Sequence, residues 1–224
     1  MSLVRRIQMI WFLVLCVSLS ACAKPQAGER LSIAASSTPI LVFGDSLSAG
    51  LRIDPSQRWS TLLEQRLKDE GVIRLNQTVA NFSVSGETSA GGLSRLAEAL
   101  DETKPEVLVL QLGANDALRR QSMTSLHDNL QKMIEMAHAR NIRVVLVGVK
   151  PPILFSLVGT SRFTDVYSDL SKKNDVIVVP DLFDKLSSNN MQEDRLHPNA
   201  SGQPLMMETM YPSIIEASNF SSQL

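Results

Sequence analysis

Pro39-Ile40-Leu41-Val42-Phe43-Gly44-Asp45-Ser46-Leu47-Ser48-Ala49-Gly50 contains a buried strand and the turn that ends it. Four consecutive apolar residues without alternation fit a strand covered on both faces, the environment of a parallel sheet between helix layers. Gly44 breaks the run, and the small residues after it let the chain turn sharply. Outward from this stretch the pattern recurs. Val107-Leu108-Val109-Leu110-Gln111-Leu112, Val144-Val145-Leu146-Val147-Gly148-Val149 and Val176-Ile177-Val178-Val179 read as strands, with a weaker one over 78–84. Between them Trp59, Leu62, Leu63 and Leu67 recur at helical spacing, as do Leu93, Leu96, Ala97 and Leu100, then Leu126, Leu130, Met133, Ile134 and Ala137. Phe163, Val166, Tyr167 and Leu170 predict a fourth helix. A last one follows Asn199, with Pro204 in its first turn, where a missing N–H costs little, and Met206, Met207 and Met210 reading as core. Strands alternating with helices require right-handed crossovers. The expected fold class is therefore α/β, a three-layer α/β/α sandwich around a five-stranded parallel sheet. Ligands bind such sheets outside the strands' carboxyl ends, which directs attention to the turns after Phe43, Val84, Leu112, Val149 and Val179.

The chain has 224 residues with 22 Lys+Arg and 23 Asp+Glu, a formal charge of -1. A single domain of moderate size is expected. Nucleic acid is not an expected partner, since there is no basic excess and aromatics make up only 5%. The two cysteines, Cys16 and Cys22, lie near the start, which leaves no thiol for catalysis and no cysteine-built zinc site in the rest of the chain. Arg5 and Arg6 precede a mostly apolar run, Ile7 to Leu19, which has the form of a signal-peptide h-region and is too short for a confident spanning helix. Leu19-Ser20-Ala21-Cys22 resembles the bacterial lipobox, and Cys22 is the candidate lipidation site; the other reading is an ordinary cleaved signal that leaves Cys22 free. Cleavage removes Arg5 and Arg6 and leaves acidic residues in excess, so membrane attachment would depend on covalent lipid. The expected organisation is a signal peptide over 1–21, a tether over 22–38, a globular domain over 39–218 and a tail over 219–224. The expected location is the periplasmic side of a bacterial envelope.

Four turns can carry chemistry. Gly44-Asp45-Ser46-Leu47 presents a serine at a strand's carboxyl end. It lacks the Lys-Ser/Thr of a phosphate-binding loop, no magnesium-binding carboxylate set accompanies Asp45, and a plain helix cap by Ser46 or Ser48 stays open. A serine nucleophile needs an imidazole base oriented by a carboxylate, and Asp194-Arg195-Leu196-His197-Pro198 can supply both within one turn. His127 and His138 fall on the polar side of a helix and read as solvated. A tetrahedral oxyanion needs donors, for which Gly86 in Val84-Ser85-Gly86-Glu87-Thr88 and Asn115 in Gly113-Ala114-Asn115-Asp116 are candidates. Taken singly, each of these is an ordinary turn element.

Taken in order, Gly44-Asp45-Ser46-Leu47, Gly86, Gly113-x-Asn115-Asp116 and Asp194-x-x-His197-Pro198 closely resemble the SGNH, or GDSL, hydrolase family. The longer strings look most like its periplasmic thioesterase/lysophospholipase and arylesterase members. The resemblance implies a flavodoxin-like fold, Ser46 as nucleophile, His197 as general base and acid, and Asp194 as its orienter. It also implies an oxyanion hole formed by the Ser46 N–H, the Gly86 N–H and the Asn115 side chain. The expected activity is hydrolysis of carboxylic esters and thioesters through an acyl-enzyme. No metal or organic cofactor is expected, the partner is a small-molecule acyl substrate, and a monomer is expected. A carbohydrate O-deacetylase of the same fold and a non-catalytic envelope lipoprotein are the alternatives. Residues 150–161, apolar and following a strand, either line an acyl pocket or pack on the sheet. Arg119 and Arg120 read as solvated loop charges.

Overall fold

Five strands assemble in the order β2-β1-β3-β4-β5, all parallel, in a computed structural model that describes residues 38–150 and 160–219. In chain order the elements are β1 (Ile40–Gly44), α1 (Ser46–Ala49), α2 (Trp59–Asp69), β2 (Val79–Asn81), α3 (Ser89–Thr103), β3 (Val107–Gln111), α4 (Ala114–Leu118) and α5 (Met123–His138). Then follow β4 (Arg143–Val147), α6 (Thr160–Lys173), β5 (Val176–Val179) and α7 (Gln203–Asn219). This is the three-layer sandwich expected from the alternation of apolar runs and helical stripes, with the flavodoxin-like strand order that the resemblance implies. Every residue of the central strands β1 and β3 is buried, whereas the edge strands β2 and β5 are mostly half-buried, as lateral exposure requires.

The helical stripes pack inward. Trp59, Leu63 and Leu67 of α2 are wholly buried, and so are Leu126, Leu130, Met133, Ile134 and Ala137 of α5. Met206, Met207 and Met210 of α7 join the same core. Side-chain caps fix two helix starts: Thr88 accepts from the Gly91 N–H and Ser122 from the Ser125 N–H.

The weak strand is shorter than the 78–84 expected from its sequence. Beyond Asn81 the chain keeps bonding to β1, with Phe82 N–H to Val42 O at 2.8 Å and Val84 N–H to Gly44 O at 2.9 Å, but the ladder is no longer regular. The physical reason is its edge position: Val84 is half-exposed and has no second neighbour to hold it flat. The leader, Cys22 and the rest of the tether up to residue 37 lie outside the described residues, as do 151–159 and 220–224.

Strand order reverses between β1 and β3, because the chain leaves β1 for one flank and crosses back to the other. Their connections diverge above this point and open a crevice at the carboxyl edge of the sheet.

Candidate active site

The crevice is lined by the turns that the sequence singled out. Asp45 caps α1, its Oδ1 accepting from the Leu47 N–H at 3.0 Å, so Ser46 opens a short helix directly beyond β1. Ser46 Oγ lies 2.9 Å from His197 Nε2. His197 Nδ1 lies 2.9 Å from Asp194 Oδ2. An ionised carboxylate only accepts, which puts the imidazole proton on Nδ1 and leaves Nε2 to accept from the Ser46 hydroxyl.

Asp194 sits in a tight turn of its own making. Its Oδ1 accepts from the Leu196 N–H at 3.0 Å and the His197 N–H at 2.9 Å, while Arg195 between them takes a left-handed φ of 54°. Partial desolvation raises its pKa, but these two N–H groups and the imidazole outweigh that and bring it down to about 2. The turn is closed by a bridge between Met191 and Pro198 and by Gln192 N–H to His197 O at 2.8 Å. Gln192 also donates from Nε2 to Leu51 O at 2.9 Å and to Pro198 O at 3.0 Å, tying the histidine turn to the serine turn.

On the other side of Ser46 stand Gly86 and Asn115. Gly86 has φ 82°, a left-handed conformation that only glycine adopts without strain. Gly113, before α4, has φ 124°, and a Cβ there would sit 2.3 Å from the Tyr167 hydroxyl, so no larger residue fits. Tyr167 donates to Leu112 O at 2.6 Å, and burial pushes its phenol well above the usual range. The Asn115 amide nitrogen faces Asp45 Oδ2 at 3.4 Å. Ser46, Gly86, Asn115 and His197 thus border one cavity of about 170 Å³, whose apolar wall comes from Leu47, Leu51, Leu118 and Leu196.

Below the cavity lies a buried polar layer. Asp45 is fully buried, and loss of water raises its carboxyl to about 7 against the lowering contacts of the Leu47 N–H and the Gln111 and Asn115 amides, with Asp116 adding to the rise. Asp116 is also buried and accepts from the Ser89 N–H at 2.8 Å and the Ser89 hydroxyl at 2.6 Å.

All the residues expected to form the site therefore converge, with the exception of Cys22, which is outside the described residues. Arg119 is exposed, as expected, and its guanidinium also donates to Gly86 O at 2.9 Å, linking the end of α4 to the Gly86 turn. One expectation about a charged group needs correction. His127 is half-buried, with Nε2 3.0 Å from Asp169 Oδ2 on α6. Neither Gln192 nor the capping role of Asp45 carried a sequence signal, since the helix that Asp45 caps is only four residues long.

A hydroxyl on the turn after β1, in one hydrogen-bonded line with the imidazole and carboxylate of the Asp194–His197 turn of a three-layer α/β sandwich, is the arrangement of a serine hydrolase. The sequence pattern of the GDSL-like Lipase/Acylhydrolase family matches residues 42–205. Esterase TesA of Pseudomonas aeruginosa is 37% identical over 182 residues, 80% of this chain and 89% of its own. The arylesterase of Vibrio mimicus is 32% identical over 206 residues, 91% of this chain and 96% of its own. The crystal structure of the psychrotrophic esterase EstA from Pseudoalteromonas sp., inhibited by monoethylphosphonate, matches with a TM-score of 0.72 at 30% identity, over 80% of this chain and 98% of that one. The chain belongs to the GDSL-like lipase/acylhydrolase family and is a hydrolase.

Proposed function

We propose that the protein is an exported esterase that hydrolyses carboxylic esters and thioesters, with Ser46 as nucleophile, His197 as general base and acid, and Asp194 as orienter of the imidazole. The observation that carries this reading is the line Asp194, His197, Ser46, each contact 2.9 Å. Ser46 Oγ attacks the acyl carbonyl carbon while Nε2 takes its proton. The Ser46 N–H, the Gly86 N–H and the Asn115 amide receive the developing oxyanion. The imidazolium then protonates the leaving alcohol or thiol, and an acyl-enzyme remains. Water, deprotonated by the same nitrogen, attacks the ester carbonyl and releases the acid.

The substrate class draws on the relatives named as an esterase and an arylesterase. The leucine-lined side of the cavity suits an apolar acyl or aryl group. Within this reading residues 1–21 are the leader, Cys22 carries lipid at the head of a tether over 22–38, the hydrolase domain is 39–218 and 219–224 form a tail. The enzyme then acts at the periplasmic face of a membrane.

A fluorophosphonate probe tests the nucleophile, as monoethylphosphonate inhibition of EstA suggests. The wild-type protein is expected to label stoichiometrically at Ser46 and to lose ester hydrolysis. Ser46→Ala is expected to show neither label nor turnover. Equal labelling of the variant at another residue would remove Ser46 from the role.

A further inference from the structure

We propose that Asp45 is a positioning residue for the ester-hydrolysis reaction: its carboxylate holds the Asn115 side chain with the nitrogen end, not the oxygen end, turned toward the carbonyl that Ser46 attacks. This rests on the reading of Asn115 as an oxyanion donor.

An asparagine amide has two ends of nearly equal size, so packing alone does not choose between them, and only hydrogen-bonding partners do. The choice decides everything at an oxyanion hole. Nitrogen stabilises the developing charge, whereas oxygen repels it. In this site the candidate arbiters are few. Asp116, next to Asn115 in sequence, has Oδ2 occupied by the Ser89 N–H and Oδ1 by the Ser89 hydroxyl. Gln111 has its Oε1 occupied by the Ser48 hydroxyl at 2.8 Å. Asp45 has Oδ1 on the Leu47 N–H, and its Oδ2 faces Asn115 Nδ2 at 3.4 Å. At that length the contact steers the amide more than it binds it. Nδ2 carries two hydrogens, so one can face Asp45 while the other serves the substrate.

Capping alone does not account for this residue. Serine, threonine or asparagine would cap α1 comparably, without the desolvation penalty of a fully buried carboxylate. What the carboxylate adds, in its ionised form above about pH 7, is a second acceptor oxygen with no donor function. In Asp45→Asn the Leu47 N–H takes the single oxygen, which leaves an amide NH2 facing the Asn115 amide NH2. Two donors in opposition favour reversal of Asn115, and the hole then presents oxygen.

A double-mutant cycle on one soluble aryl ester tests the inference, using wild type, Asp45→Asn, Asn115→Ala and the pair, with thermal melts as a folding control. Asp45→Asn is expected to lower kcat by about tenfold or more with KM changed less than about threefold, since an interaction made only in the transition state is lost. In the Asn115→Ala background the same substitution is expected to cost almost nothing. Equal fold losses in both backgrounds would overturn the inference and leave Asp45 as a cap. If Asn115→Ala keeps full turnover, the oxyanion reading of Asn115 falls, and the role of Asp45 through it falls too. A crystal structure of Asp45→Asn with a phosphonylated Ser46 gives a second readout. Asn115 nitrogen still within hydrogen-bond distance of the phosphonyl oxygen would also overturn the inference.

Discussion

Burying Asp45 next to Asp116 stores a cost at the point where the reaction takes place. Its carboxyl is raised from 3.8 to about 7, with desolvation as the main cause. The folded state therefore holds a proton that the unfolded chain releases at much lower pH. Between those values stability falls as pH rises, by about 1.4 kcal/mol per unit and on the order of 4 kcal/mol across the window. Asp45→Asn abolishes that titration while preserving the cap. The stability of the variant relative to wild type is therefore expected to rise steadily from about pH 4 to pH 7 and then level off, as read from urea midpoints at each pH. Any loss of hydrogen-bond quality adds a constant offset and leaves the slope intact. A difference independent of pH would mean that Asp45 ionises normally in the folded chain. Residues placed for chemistry often weaken a fold in this way, and here the destabilising and positioning roles fall on the same carboxylate.

At the scale of elements, the site is a matter of holding turns against one another. Gln192 spans the histidine turn and the serine turn through Pro198 O and Leu51 O, so it fixes the distance from Ser46 to His197 without touching either side chain. Gln192→Ala is expected to lower kcat by roughly three- to thirtyfold, since misplacement by about 1 Å can cost a hundredfold, with the melting temperature moving by only a few degrees. Unchanged turnover would show that the bridge between Met191 and Pro198 suffices. Such a tie is invisible in sequence because a lone glutamine in a loop matches no pattern. The long elements were legible: the stripe from Leu126 to Ala137 is the buried face of α5, and unalternating Val and Leu runs became β1, β3 and β4. The short helices α1 and α4 were not, because four or five residues complete little more than one turn and show no period. Ser46, Gly86 and Asn115 were legible as types in strand-end turns, and Asp194 and His197 as a pair spaced to meet within one turn. The roles of Arg119 and His127 were not, since Gly86 and Asp169 meet them only after distant elements pack.

For the whole molecule, the sheet separates its two ends. Described residues begin at Thr38, just before β1 enters the sheet at Ile40, and Ser46 follows where β1 leaves it. A strand of five residues puts roughly 16 Å between those edges, with Ser46 at the carboxyl one. In the proposed anchored form, the residues from Cys22 to Thr38 give a reach of at most about 60 Å. Anchoring and catalysis are then separable, because every residue proposed for the reaction lies between Asp45 and His197. Wild-type protein from a bacterial membrane is expected to partition into the detergent phase of a cloud-point separation and to show acyl mass on Cys22. Cys22→Ser is expected to move to the aqueous phase or to accumulate with its leader uncleaved, since one lost thiol removes the lipid attachment. Its kcat/KM on a soluble aryl ester should remain within about twofold of wild type, because the triad's hydrogen bonds among the described residues run between Ser46, Asp194 and His197. Mature wild-type protein with an unmodified Cys22 in the aqueous phase would eliminate the anchor. A large loss of activity in released Cys22→Ser would instead mean that the tether takes part in the crevice.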